Sequence, residues 1–109
     1  PIMLAYANDN SYEEIFVEQL KNFLKPKDVV IAFSGSGNSK NVIRAVEYAN
    51  EIGAVTIGFS GFDGGKLAGL VKVPVVVTSN DMQKIEDIHL MLTHIIMQIF
   101  YLKLRNKHV

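Results

Sequence analysis

Apolar residues occupy the chain in two kinds of pattern. Short unbroken runs occur at DVVIAF (Asp28–Phe33), AVTIGF (Ala54–Phe59) and Val73–Val77. Such runs, rich in β-branched residues, predict strands of a parallel sheet covered on both faces. Between them the apolar positions recur at helical spacing. Ile15, Phe16, Leu20, Phe23 and Leu24 predict a first helix from about Tyr12 to Leu24, ended by Pro26. Val42, Ile43, Ala45, Val46, Ala49 and Ile52 predict a second, with Ser39 or Asn38 as its N-cap and Gly53 just past its end. Lys66–Leu70 reads as a short helix, and Met82 to Arg105 as a long one. Pro74 falls near the start of the third strand, where a missing N–H matters least.

The predicted order is α-β-α-β-α-β-α. Right-handed crossovers then give a three-layer α/β domain, a parallel sheet with helices on both faces. No repeat or linker divides residues 1–109, so one domain is expected. The loops after the three strands read SGSGNS, SGFDGG and TSND. All are rich in Ser, Gly, Asn and Asp, and all lie at the strand C-terminal edge, where open α/β sheets bind ligands.

The first of these loops opens a helix. Free amides and the helix dipole favour an anion there, the glycines allow close approach, and Ser34, Ser36 and Ser39 supply hydroxyl donors. A phosphate group fits that chemistry; a plain serine-capped turn is the alternative. The P-loop pattern GxxxxGK[ST] is absent, and Lys40 stands where a dinucleotide fingerprint needs its third glycine. No nucleotide cofactor is therefore expected. Asn8 and Asp9 form a polar turn ahead of the first helix, with Ser11 suited to capping it. Asp63 and Lys66 are expected to fix the glycine-rich turn, and Lys40 to be exposed.

Composition narrows the partners. Net charge is zero, with no basic patch for nucleic acid. There is no cysteine, hence no disulfide or thiolate chemistry, which suits a cytoplasmic protein. The longest uncharged apolar run, Ile88–Leu102, contains His89, His94 and Gln98 and is shorter than the roughly 20 residues of a membrane helix, so no membrane is expected. Hydrophobic residues make up 49%, more than a small monomer readily hides, which predicts an oligomer. The last helix is apolar on most faces and is expected to be buried between its own sheet and a neighbouring subunit. His89 is expected to be structural.

The stretch SGSGNSKNVIRAVEYANEIGAVTIGFSG, followed by FDGGKLAGL and IEDIHLMLTH, resembles the sugar isomerase (SIS) domain. The form it resembles most is phosphoheptose isomerase, whose loop motif reads STSGNS. The resemblance implies an SIS-type fold, flavodoxin-like or Rossmann-like, and begins inside the family's domain, so an N-terminal segment is expected ahead of Pro1. It implies that Ser34, Gly35, Ser36 and Ser39 hold the phosphate of a phosphorylated sugar and that Asn8 and Asp9 contact its hydroxyls. It implies a catalytic role for His94 and substrate contact for Glu86, which falls where the family usually has glutamine. Gln83 falls where an aspartate is common. Zinc, one per site, would take Glu86 and His94 with further ligands from the preceding segment. The implied reaction converts sedoheptulose 7-phosphate to D-glycero-D-manno-heptose 7-phosphate in a homotetramer or dimer joined through the C-terminal helix. Related domains without chemistry act as phosphosugar-binding regulators or as a replication-initiation adaptor, which is the alternative.

Overall fold

The computed structural model describes residues 12–107. A 3₁₀ turn, Tyr12–Glu14, leads into helix α1, Ile15–Leu20. Strand β1 spans Val29–Phe33, helix α2 Lys40–Ile52, and strand β2 Val55–Gly61. Helix α3, Gly65–Leu70, strand β3, Val73–Val77, and helix α4, Met82–Lys107, complete the order.

The three strands form one parallel sheet in the order β1-β2-β3. Phe33 pairs with Phe59, and Phe59 with Val75. Paired residues in a parallel ladder share a face, so alternate positions sort the side chains. Ala32 lies on the face covered by α2 and α3, where it clusters with Val46, Leu67 and Val71. Val46 and Leu67 are fully buried, each a contribution of about 1.5–3 kcal/mol. Phe59 lies on the opposite face, where the first turns of α4 pack. The sheet thus carries helices on both faces, as the apolar runs predict.

Three features differ from the sequence reading. The first helix ends earlier, because Asn22 and Phe23 donate to the carbonyls of Gln19 and Leu20, an i→i−3 pattern that tightens its last turn. β2 runs on through Ser60 and Gly61, which read as loop, because β3 pairs with both of them. α4 is the third difference. Only its first turns are buried, through Ile85 and His89, while Leu90, Met91, Ile95, Met97, Ile99, Phe100 and Leu104 are at least half exposed. Its 26 residues span about 39 Å, whereas strands of five to seven residues cover about 17–24 Å. The helix outruns its own sheet, so among the described residues the expected burial is absent beyond its first turns.

Residues Met82–Asn106 are long and apolar enough, by length and composition alone, to cross a membrane. The uncharged part, Ile88–Leu102, covers only about 22 Å, short of the ~30 Å hydrocarbon layer.

Candidate functional site

The loop between β1 and α2 is built around one hydroxyl. Ser34 is 3% exposed, and its amide donates to the Phe59 carbonyl, continuing the ladder past the strand. Its Oγ accepts the amides of Gly37 at 3.1 Å and Ser39 at 3.3 Å, and lies 2.8 Å from Ser39 Oγ. A hydroxyl oxygen has two acceptor lone pairs. Both point toward N–H groups, one of them shared with the Ser34 carbonyl, which favours Ser34 as the donor to Ser39 Oγ. In that direction Ser39 keeps its own O–H for an outside acceptor.

Ser39 occupies the N-cap position of α2, with extended backbone, yet its side chain caps no amide. The amides of Lys40 and Asn41 consequently have no hydrogen-bond partner among the described residues, and neither do those of Gly35 and Ser36. Ser36 Oγ accepts the Asn38 amide and retains a proton to donate. The loop therefore gathers unpaired amides and two hydroxyl protons at the positive end of a helix, where an anion is stabilised.

The loop is clamped from the side by α3. Gly37 has a φ of 75° and lies so close to Gly64 that a side chain would overlap its carbonyl. The Gly37 carbonyl accepts the Leu67 amide at 2.9 Å, and Asn38 Oδ1 accepts the Lys66 amide at 3.0 Å. The first turn of α3 is thus capped by the neighbouring loop rather than by its own residues. Asp63 Oδ1 accepts the Gly65 amide and fixes the turn before it, as expected. The three sheet-edge loops meet around an opening of about 540 Å³ lined by Ser36, Asn38, Phe62, Asp63 and Asn80.

Helix α4 starts at the other side of the loop. Asp81 caps it, accepting the Gln83 amide at 3.0 Å. Ile85 packs onto Gly61, where a Cβ would overlap it, and Met82 packs against Gly35 in the same way. This docking aims the next turn at the sheet. His89 is 7% exposed, its Nε2 lies 2.8 Å from the Ser60 carbonyl oxygen, and its ring stands edge-on to Phe33 and Phe59. A second cleft, about 510 Å³, is lined by Phe33, Gly35, Glu86, His89, Leu90 and Thr93.

The SIS domain family model matches residues 2–61 of this chain, more than half of it. The chain belongs to the SIS domain family. It is 40% identical over 94 residues to a phosphoheptose isomerase of Helicobacter pylori (strain P12), covering 86% of this chain and 49% of that protein. It is 41% identical over 95 residues to the phosphoheptose isomerase of Geotalea daltonii, covering 87% and 50%. The solved phosphoheptose isomerase from Neisseria gonorrhoeae superposes with a TM-score of 0.83 at 34% identity, covering 85% of this chain and 52% of that one. The chain spans about half the length of the curated relatives it matches.

Within this SIS domain the predicted site residues divide into groups. Gly35, Ser36 and Ser39 present donors at the loop surface. Ser34, read from sequence as a phosphate contact, is buried, with its hydroxyl 3.1 Å from the Gly37 amide and 3.3 Å from the Ser39 amide. Glu86 lines the cleft beside Gly35, while His94 is exposed further along α4 and does not line that cleft. No ion pair joins Glu86 to His94 among the described residues. Asn8 and Asp9 lie outside the described residues. Among those described, no three metal-ligating side chains come together, so Glu86 and His94 offer at most two of the four donors zinc usually takes. The described residues do not by themselves fit a zinc ion.

Lys40 is exposed, as expected, 3.8 Å from Glu13. Arg44 has its pKa raised, chiefly by its hydrogen bond to Glu14 and then by that carboxylate's charge, so its guanidinium stays protonated. Ser60 was not singled out from the sequence. Its buried hydroxyl has no partner among the described residues, and its carbonyl holds His89. No local pattern announces either feature; both arise where α4 crosses β2.

Proposed function

We propose that this SIS domain binds the phosphate of a sugar phosphate on the loop Ser34–Ser39 and forms part of a phosphoheptose isomerase. One observation carries the reading. Ser39 stands at the head of α2 without capping it, so its proton and the amides of Lys40 and Asn41 are available together to one anion. The names of the relatives supply the substrate class: a phosphorylated heptose. The reaction converts sedoheptulose 7-phosphate to the aldose phosphate by moving a proton between adjacent carbons through an enediol, which takes one acid and one base. His94 serves one of these roles by resemblance, and its counterpart lies outside the described residues. Glu86, beside Gly35, faces the sugar. Zinc enters the proposal only as an ion that Glu86 and His94 would share with donors from outside the described residues, and no step is routed through it.

The same proposal makes α4 a subunit contact. Its exposed Leu90, Met91, Ile95, Met97, Ile99 and Phe100 form a long apolar surface of the kind that homo-oligomers bury. A cytoplasmic enzyme assembled as a dimer or tetramer accounts for that surface without a membrane. The test is isomerisation of sedoheptulose 7-phosphate by the native full-length protein, with Ser39→Ala and His94→Ala alongside. Turnover that falls at least a hundredfold in His94→Ala supports the enzyme. Tight sugar phosphate binding with no turnover in the wild type would leave a phosphosugar-binding regulator, a reading that Gln83 and Glu86 also fit.

A further inference from the structure

We infer that His89 Nδ1 accepts a hydrogen bond from a hydroxyl of the sugar whose phosphate sits on the Ser34–Ser39 loop. The inference rests on the phosphate reading above and adds a residue to it. A carbonyl oxygen has no proton to give, so the 2.8 Å contact with Ser60 obliges His89 Nε2 to be the donor. In the neutral ring the lone pair is then on Nδ1. That nitrogen has no partner among the described residues. It is also not sealed in: the buried, unpartnered side-chain atom among those residues is Ser60 Oγ. His89 as a whole keeps 7% of its surface exposed and lines a cleft. Phe33 and Phe59, with ring centroids 5.9 and 5.6 Å away, hold the imidazole edge-on and fix the direction of the lone pair.

The cleft that His89 lines begins at Gly35 of the loop and runs along α4 to Thr93. Its about 510 Å³ lies in the range of small-ligand sites. Glu86 and His89, which face it, offer acceptors, and among the described residues no cation lines it. The loop next door offers donors. A ligand complementary to both has an anion at one end and O–H donors at the other. A sugar phosphate has that form; inorganic phosphate supplies only the first half.

Two substitutions separate the two ring nitrogens. Glutamine places its amide where Nε2 was, so His89→Gln keeps a donor toward Ser60 and removes the acceptor at Nδ1. Asparagine places its amide where Nδ1 was, so His89→Asn does the reverse. Affinities of the native full-length protein and both variants are measured for sedoheptulose 7-phosphate and for inorganic phosphate. His89→Gln is expected to lose about tenfold for the sugar phosphate, the loss of one hydrogen bond, while phosphate binds as before. His89→Asn is expected to keep the ratio of the two affinities within about threefold. An unchanged ratio in His89→Gln overturns the inference and leaves the phosphate loop standing. Failure of the wild type to bind either compound overturns both. A second measurement needs no variant: with ¹⁵N-labelled histidine, the His89 Nδ1 resonance should move on adding the sugar phosphate and stay put with phosphate. A resonance that stays put at saturating sugar phosphate also overturns the inference.

Discussion

Replacing Ser34 by alanine tests the hydrogen-bond direction on which the anion site depends. The substitution deletes one oxygen and with it three contacts: the Gly37 amide at 3.1 Å, the Ser39 amide at 3.3 Å and Ser39 Oγ at 2.8 Å. Their losses are unequal. Gly37 N–H also reaches the Ser34 carbonyl at 2.9 Å, so it keeps a partner. Ser39 N–H has no second partner among the described residues, and leaving it unmade costs about 1–3 kcal/mol. Ser39 is half-buried, so water recovers part of this, and a total near ~2 kcal/mol is expected. Ser39 Oγ also loses the neighbour that donates to it, which frees its proton to point back into the loop. Phosphate affinity should fall about tenfold through that reorientation. Urea denaturation reads the first effect and calorimetric titration with phosphate the second. Both should appear together. If affinity collapses while stability is untouched, Ser34 contacts the anion itself and the lone-pair argument is wrong. If neither changes, the loop is not held by this hydroxyl.

Gly37→Ala places a side chain against the Gly64 carbonyl at a left-handed backbone position, and should destabilise the domain by about 2–4 kcal/mol in thermal or urea unfolding. Asn38→Ala uncaps the first turn of α3 at Lys66 and should cost about 1 kcal/mol, with Asn38→Asp retaining most of that because it keeps the acceptor; equal losses in both would discount the cap. Ile95→Glu combined with Ile99→Glu puts charge on the exposed apolar surface of α4 and should lower the mass seen by sedimentation, leaving the far-UV spectrum unchanged; an unaltered mass would remove this surface from the assembly.

The strands and the two main helices were legible because their signals are local. An unbroken valine and isoleucine run, a helical repeat ending at Gly53, and a proline at the edge strand each need only neighbouring residues. The loop proposed to hold an anion drew notice for the same reason: serines and glycines between a strand and a helix carry their chemistry in their spacing. Boundaries set by a partner were not. Ser60 and Gly61 become strand only because Val76 and Val77 lie beside them. The length of α4 could be read, but not that it outruns its sheet, since that follows from comparing two elements that the chain keeps far apart.

Side-chain direction is where the two kinds of knowledge separate. Composition and spacing determined that a helix would carry two histidines and a glutamate past a serine-rich loop. Which of them meets that loop was decided by Ile85 settling onto Gly61, the point on β2 without a side chain. Residues four apart share a helix face, so His89 follows Ile85 onto the sheet, while His94 is turned well away from it. In the loop, three serines look alike in sequence, and only the closure of the turn onto β2 and α3 buries one as an internal brace and leaves the other two half-exposed. Local pattern states which groups are present; packing of distant segments assigns each its partner.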